Sequence, residues 1–195
     1  MKEIYIVLTH TGTVLSNIVK FYTKKDYTHV SISLDSELKE LYSFGRLNPS
    51  NPFKAGFVRE DLENGTFARF KNTIGSIYVL EVTDEQYKII RETIEYVKTN
   101  KDKYKFNILG LFLVSIHKKY QKEDTFYCAE FVKYVLEKSL NKKLLPDIIK
   151  PMDFLKLDNI EQIYEGYLRK YQYEKVVRKT EQIAWYKREN IGRYL

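Results

Sequence analysis

The chain is predicted to be an α+β protein, an antiparallel sheet packed against helices with a helical tail at its end. Three observations predict it. The stretch YTHVSISLD at 27–35 alternates with period two, placing Val30, Ile32 and Leu34 on one side and His29, Ser31, Ser33 and Asp35 on the other. Strand-like segments occupy the first half, with one more near residue 160, while the middle holds three segments of helical periodicity. That order, strands then helices then a strand, suits an antiparallel sheet with helices on one side.

EIYIVLT at 3–9 reads as a buried strand and HTGT as the turn after it. TVLSNIVKFYT at 13–23 spaces Leu15, Ile18 and Val19 as a helix does. DSELKE connects the strand at 27–35 to a return strand, LYSFGR, at 41–46. LNPSNPFKAG holds two prolines and reads as loop, and FVRED as a short strand or turn. SIYVLEVT at 76–83 is a strand, after which Asp84 caps a helix with Tyr87, Ile90, Ile94 and Val97 on its packed face. KFNILGLFLVSIHKKY at 105–120 is predicted as a second, more apolar helix and TFYCAEFVKYVLEKS at 125–139 as a third, with Phe131, Val132, Val135 and Leu136 inward. LLPDIIKPMDFLKL contains a short helical turn, IEQIYEGYL is the last strand, and a helix is expected from about Tyr171.

The 195 residues suit one compact domain, long enough to bury a core without disulfide or metal. Cys128 is the sole cysteine, which excludes an internal disulfide and a cysteine-rich zinc site. Three scattered histidines make a poor metal set, so neither metal nor cofactor is expected. The start lacks the apolar core of a signal peptide, and the longest apolar patch, ILGLFLVSI at 108–116, is shorter than a membrane span; a cytoplasmic location is expected. Net charge is +7, and residues 169–195 carry eight Lys/Arg against three Glu. The remainder is near neutral. This basic, aromatic extension could meet an anionic surface or nucleic acid, or pack on the domain or on another copy through Val177, Ile183 and Trp185. Packing is the preferred reading, so nucleic acid is not an expected partner.

Cys128 lies where the third helix begins, with Thr125 or Asp124 as its cap. A first-turn cysteine meets unpaired N–H groups and the positive end of the helix dipole, which favour a thiolate and can bind an oxyanion. It also fits a small buried apolar residue, and position alone leaves both open. His29, at a strand's beginning, is the natural base for that thiol. The imidazole needs a third group to hold its tautomer. Ser43 shares the side of His29 on the return strand and is preferred. Glu40 is the stronger acceptor but falls on the wrong side unless the strand is bulged. His10 ends the first strand, where it either lines a cleft or caps the turn. His10, Glu40 and Tyr127 are the expected substrate-side residues.

THVSISLD, LYSFGR and TFYCAEFV together resemble the circularly permuted NlpC/P60 enzymes of the papain-like superfamily, in particular the YiiX/YaeF-like group of permuted amidases. The resemblance covers roughly residues 3–168. HVSI matches the family's histidine strand and YCAEFV its nucleophile helix, in the permuted order, histidine before cysteine. It implies a permuted papain-like catalytic domain at 1–168 and an extension at 169–195. It also implies Cys128 as nucleophile and His29 as base, with the family's third polar residue most nearly at Ser43. Relatives often carry a carboxylate or another nitrogen- or oxygen-bearing acceptor there, and the hydroxyl is a departure. The implied activity is cysteine-dependent hydrolysis or acyl transfer on an amide or ester of a peptide, cell-wall fragment or lipid. A weakly catalytic lipid- or peptide-binding descendant of the fold, or a nucleic-acid-binding protein acting through its basic tail, are the competing readings.

Overall fold

The computed structural model describes residues 1–11, 27–48, 50–114 and 116–172, the side chains of Pro52 and Phe53 aside. The helix expected at 13–23 and most of the C-terminal extension, from residue 173 on, lie outside the described residues.

Strands β1 (Lys2–His10), β2 (His29–Ser33), β3 (Leu41–Asn48), β4 (Asn51–Glu60), β5 (Ile74–Val82) and β8 (Ile160–Tyr167) form a six-stranded sheet. Its order is β4-β3-β2-β1-β5-β8, antiparallel throughout. The segment expected as a proline loop is instead the end of β3 and the start of β4. Proline is compatible with β4 because that strand is an edge, where a missing N–H leaves no ladder bond unmade.

Helix α1 (Gly65–Arg69) precedes β5, and α2 (Asp84–Thr99) follows it. The cap of α2 is Thr83 rather than Asp84. Its hydroxyl accepts the Gln86 N–H at 3.1 Å, and the Gln86 amide oxygen accepts the Thr83 N–H at 2.8 Å, a reciprocal capping box. The long second helix expected at 105–120 is shorter. Lys105–Phe106 is strand β6, paired in parallel with β7 (Thr125–Phe126), and only Ile108–Val114 is helical (α3). The last helix, α4, runs Cys128–Leu140, capped by Tyr127 rather than by Thr125 or Asp124.

The sheet separates two apolar layers. On one face Ile4, Ile6, Leu8, Val30, Ile32 and Phe44 meet Ile90 and Ile94 of α2 and Phe131, Val132 and Val135 of α4. Phe44 is the hub, with ring centroids 5.3 Å from Phe131 and 5.4 Å from Phe126. Helices are therefore not the only cover. The other face buries Tyr5, Val7, Leu41 and Ile77 under Phe67 of α1 and Leu168 and Tyr171. The described part of the extension also packs here, the Tyr171 hydroxyl donating to the Ser36 carbonyl at 2.9 Å and the Gln172 amide to that of Glu37 at 3.1 Å.

Candidate active site

Two element ends converge at the site. His29 is the first residue of β2 and Cys128 the first of α4. Alternation along β2 gives its apolar residues to the larger core, as the sequence predicts, so His29 and Ser31 project from the other side. Helix α4 is anchored by Phe131 and Val132 under β2 and β3, and this fixes where its first turn ends.

The His29 ring lies between two partners. Its Nε2 is 2.8 Å from Oε1 of Glu60, the last residue of β4. Cys128 lies near enough for its side chain to raise the pKa of the ring. With Nε2 held by Glu60, Nδ1 is the nitrogen left for the sulfur. Ser31 completes the line. Its hydroxyl donates to Glu60 Oε2 and lies 3.3 Å from His29 Nε2. The pair is sheltered, with His29 20 % and Glu60 9 % exposed, and Cys128 is 5 % exposed.

Gly45 on β3 makes room for this contact. A Cβ at that position would stand 3.4 Å from His29 Cε1 and 3.6 Å from Glu60 Oε1, so the imidazole–carboxylate contact sits directly over the glycine.

The electrostatics follow from the packing. Burial alone would lower the His29 pKa. The Glu60 carboxylate, and after it Cys128, outweigh burial and hold the imidazole well above its ordinary value of 6.5. The shift favours the imidazolium form of His29.

Neither residue proposed from the sequence as the third member reaches His29. Ser43 does share its side of the sheet, but the Ser43 hydroxyl donates to the Val30 carbonyl at 2.7 Å. The physical reason is the short β2–β3 ladder. It pairs only Ile32 with Tyr42 and Ser33 with Leu41, leaving the buried Val30 carbonyl to a side-chain donor. Glu40 lies at the far end of the hairpin, where its N–H donates to Asp35 Oδ2 at 2.6 Å and its carboxylate is 3.8 Å from Arg91 of α2. Glu60 and Ser31 are the residues that sequence reasoning missed. Reading FVRE as a strand paired with 41–46 would have put Val58 and Glu60 on the histidine side.

The expected substrate-side residues also separate. Tyr127 is 3 % exposed and its hydroxyl donates to the Ile149 carbonyl at 2.9 Å, so it is a buried strut beneath α4. Burial raises its pKa further. His10 ends β1 with Nδ1 3.4 Å from the Thr28 hydroxyl, one residue from the Thr9–His29 cross-strand pair.

The first turn of α4 is held by a carboxylate. Glu130 accepts the Tyr127 N–H at 3.0 Å and the Asn107 amide at 3.0 Å. Burial raises the Glu130 pKa, and these donors, with Lys133 and Lys119, offset that only in part. This fixes the N–H of Cys128, one of the first-turn donors that no carbonyl within the helix can satisfy. Among the described residues no three His, Cys, Asp or Glu side chains are arranged to hold a metal ion.

Fold and site together describe an α+β protein whose antiparallel sheet presents a carboxylate-backed histidine to a cysteine at a helix N-terminus. In overall fold the chain is similar to the crystal structure of metalloprotein YiiX from Escherichia coli O157:H7, DUF1105. The TM-score is 0.53 at 12 % identity, over 85 % of this chain and 98 % of that one. No family model and no curated protein matches the chain.

Proposed function

We propose that the chain is a cysteine-dependent hydrolase or acyltransferase of the circularly permuted NlpC/P60, papain-like kind. Cys128 is its nucleophile, His29 its acid–base and Glu60 the group that orients His29. The observation that carries this reading is the Glu60 carboxylate 2.8 Å from His29 Nε2, on a ring whose pKa Glu60 and Cys128 together raise. A buried structural cysteine needs no such partner.

The chemistry would run as follows. The sulfur, its proton passed to His29 Nδ1, attacks an amide or ester carbonyl carbon, and a carbon–sulfur bond forms. The carbonyl oxygen takes the electron pair and is met by the Cys128 N–H. The tetrahedral adduct collapses, the carbon–nitrogen or carbon–oxygen bond breaks, and His29 gives its proton to the leaving group. Water or another acceptor, deprotonated by His29, then attacks the thioester and releases the acyl group. Glu60 holds the ring throughout and stabilises its charge. Ser31 holds the second oxygen of Glu60.

Peptide, simple amide and lipid ester are all compatible with these steps. Intact mass after incubation with an aryl acetate, an acyl amino-acid amide, a short peptide and a phospholipid tests the proposal. The expected result is an acyl adduct on Cys128 from at least one donor, absent in Cys128→Ala. Labelling on lysines alone, or none from any donor, would refute it.

A further inference from the structure

Residues 105–125 leave the fold and return to it. β6 and β7 pair at the base, Lys105 opposite Thr125, so the excursion closes on itself. One side chain ties its interior. Asn107 accepts the Gly110 N–H at 2.9 Å through its carbonyl oxygen and donates to the Tyr120 carbonyl and to Glu130, each at 3.0 Å. Gly110 is required there, because a Cβ would stand 2.2 Å from Asn107 Nδ2.

This tie fixes which side of α3 faces the protein. Gly110 and Val114 are buried, and Leu111 packs against the larger core. Exposed apolar side chains lie on the helix and on the return after it. Ile108, Leu109, Ile116 and Tyr120 are 44 %, 48 %, 57 % and 39 % exposed. Single exposed apolar residues are ordinary, but several on one tied excursion form a surface that water solvates poorly. Exposed Lys105, Lys118 and Lys122 accompany them on the same excursion, while Lys119 is paired with Asp147 at 3.9 Å. Among the described residues no helix is long and apolar enough to cross a membrane.

We infer that this excursion is a membrane-docking surface, seated by its apolar side chains in the interface of an anionic bilayer with the lysines at headgroup level. The lysines choose the occupant. A second copy would bring the same lysines against them. An apolar protein groove would leave them without counter-charge, whereas anionic headgroups beside acyl chains satisfy both features together. Because Asn107 also binds Glu130, the surface is coupled to the turn that opens with Cys128.

The test is vesicle flotation of the full chain carrying Cys128→Ala, so that the outcome is independent of the catalytic reading. Vesicles of phosphatidylcholine with about 30 mol% phosphatidylserine are compared with phosphatidylcholine alone. The expected result is flotation with the anionic vesicles only, released as salt rises from about 0.1 to 0.5 M. Leu109→Asp, and separately Lys118→Glu with Lys122→Glu, are expected to lower partitioning at least ~10-fold while leaving the melting temperature near that of the parent. Three results would overturn the inference. One is absence of flotation. Another is flotation that Leu109→Asp leaves unchanged but deletion of residues 173–195 abolishes, which would assign binding to the extension. The third is self-association in vesicle-free sedimentation that Leu109→Asp removes, which would assign the surface to a second copy.

Discussion

Glu60→Gln separates the charge of the His29 partner from its shape. The glutamine amide oxygen can still accept from Nε2, so a hydrogen bond of the same length, 2.8 Å in the parent, remains available. What disappears is the negative charge beside a ring that is only one-fifth exposed. A charge-assisted hydrogen bond contributes about 1.5–3 kcal/mol and a neutral one about 0.5–1.5 kcal/mol. The substitution should therefore cost about 1–1.5 kcal/mol where the histidine is protonated, roughly a tenfold change in equilibrium. The sign with pH is fixed by the direction of the shift. A folded-state pKa raised above 6.5 gives stability that is fully present below 6.5 and is lost as pH rises through the folded value. The stability gap between parent and variant should accordingly be widest near neutral and mildly acidic pH and close as the solution becomes alkaline. Denaturant unfolding of both proteins between about pH 5.5 and 9 measures it. A gap of constant size across that range would refute the imidazolium–carboxylate pair.

Further outcomes follow from the same geometry. Ser43→Ala should lower stability by about 1 kcal/mol, since it removes the donor to the Val30 carbonyl, and leave catalysis unchanged; Ser31→Ala should instead slow acyl transfer several-fold by loosening Glu60. Turnover of a reporter ester, read beside unfolding, distinguishes the two. Gly45→Ala should be tolerated, because its Cβ would reach only van der Waals contact with His29, whereas Gly45→Val should displace the ring and abolish turnover in a folded protein. Phe131→Ala should destabilise by about 3–5 kcal/mol, because that ring joins α4 to Phe44 and Phe57.

The parts of the fold that the sequence made legible are those where one periodicity dominates. β2 alternates and α2 repeats its apolar residues at helical spacing, and both lie where expected. The failures have local causes. Two prolines concealed the start of β4 because the residues themselves do not reveal that a strand is an edge. The run at 105–120 is apolar enough for a long helix, yet Asn107 binds the Gly110 N–H and the Tyr120 carbonyl and folds it into a short helix and a return. Thr83 and Gln86 did carry the capping-box spacing, one residue ahead of the cap chosen. At the site, His29 and Cys128 were legible because each opens an element, and side-chain chemistry at element ends can be read in one dimension. Glu60 was not, because it reaches His29 from an edge strand with another strand between them. Ser43 was on the right side, but the choice turned on which carbonyl lacked a ladder partner.

The central claim is that His29 serves the sulfur of Cys128. The rate of Cys128 modification by a small alkylating agent, followed by intact mass from about pH 5.5 to 9 in the parent and in His29→Ala, tests it most directly. The parent should react at least ~10-fold faster than the variant near pH 6.5, with the two rates converging as the solution becomes alkaline. Equal rates with one shared pH dependence would contradict the account.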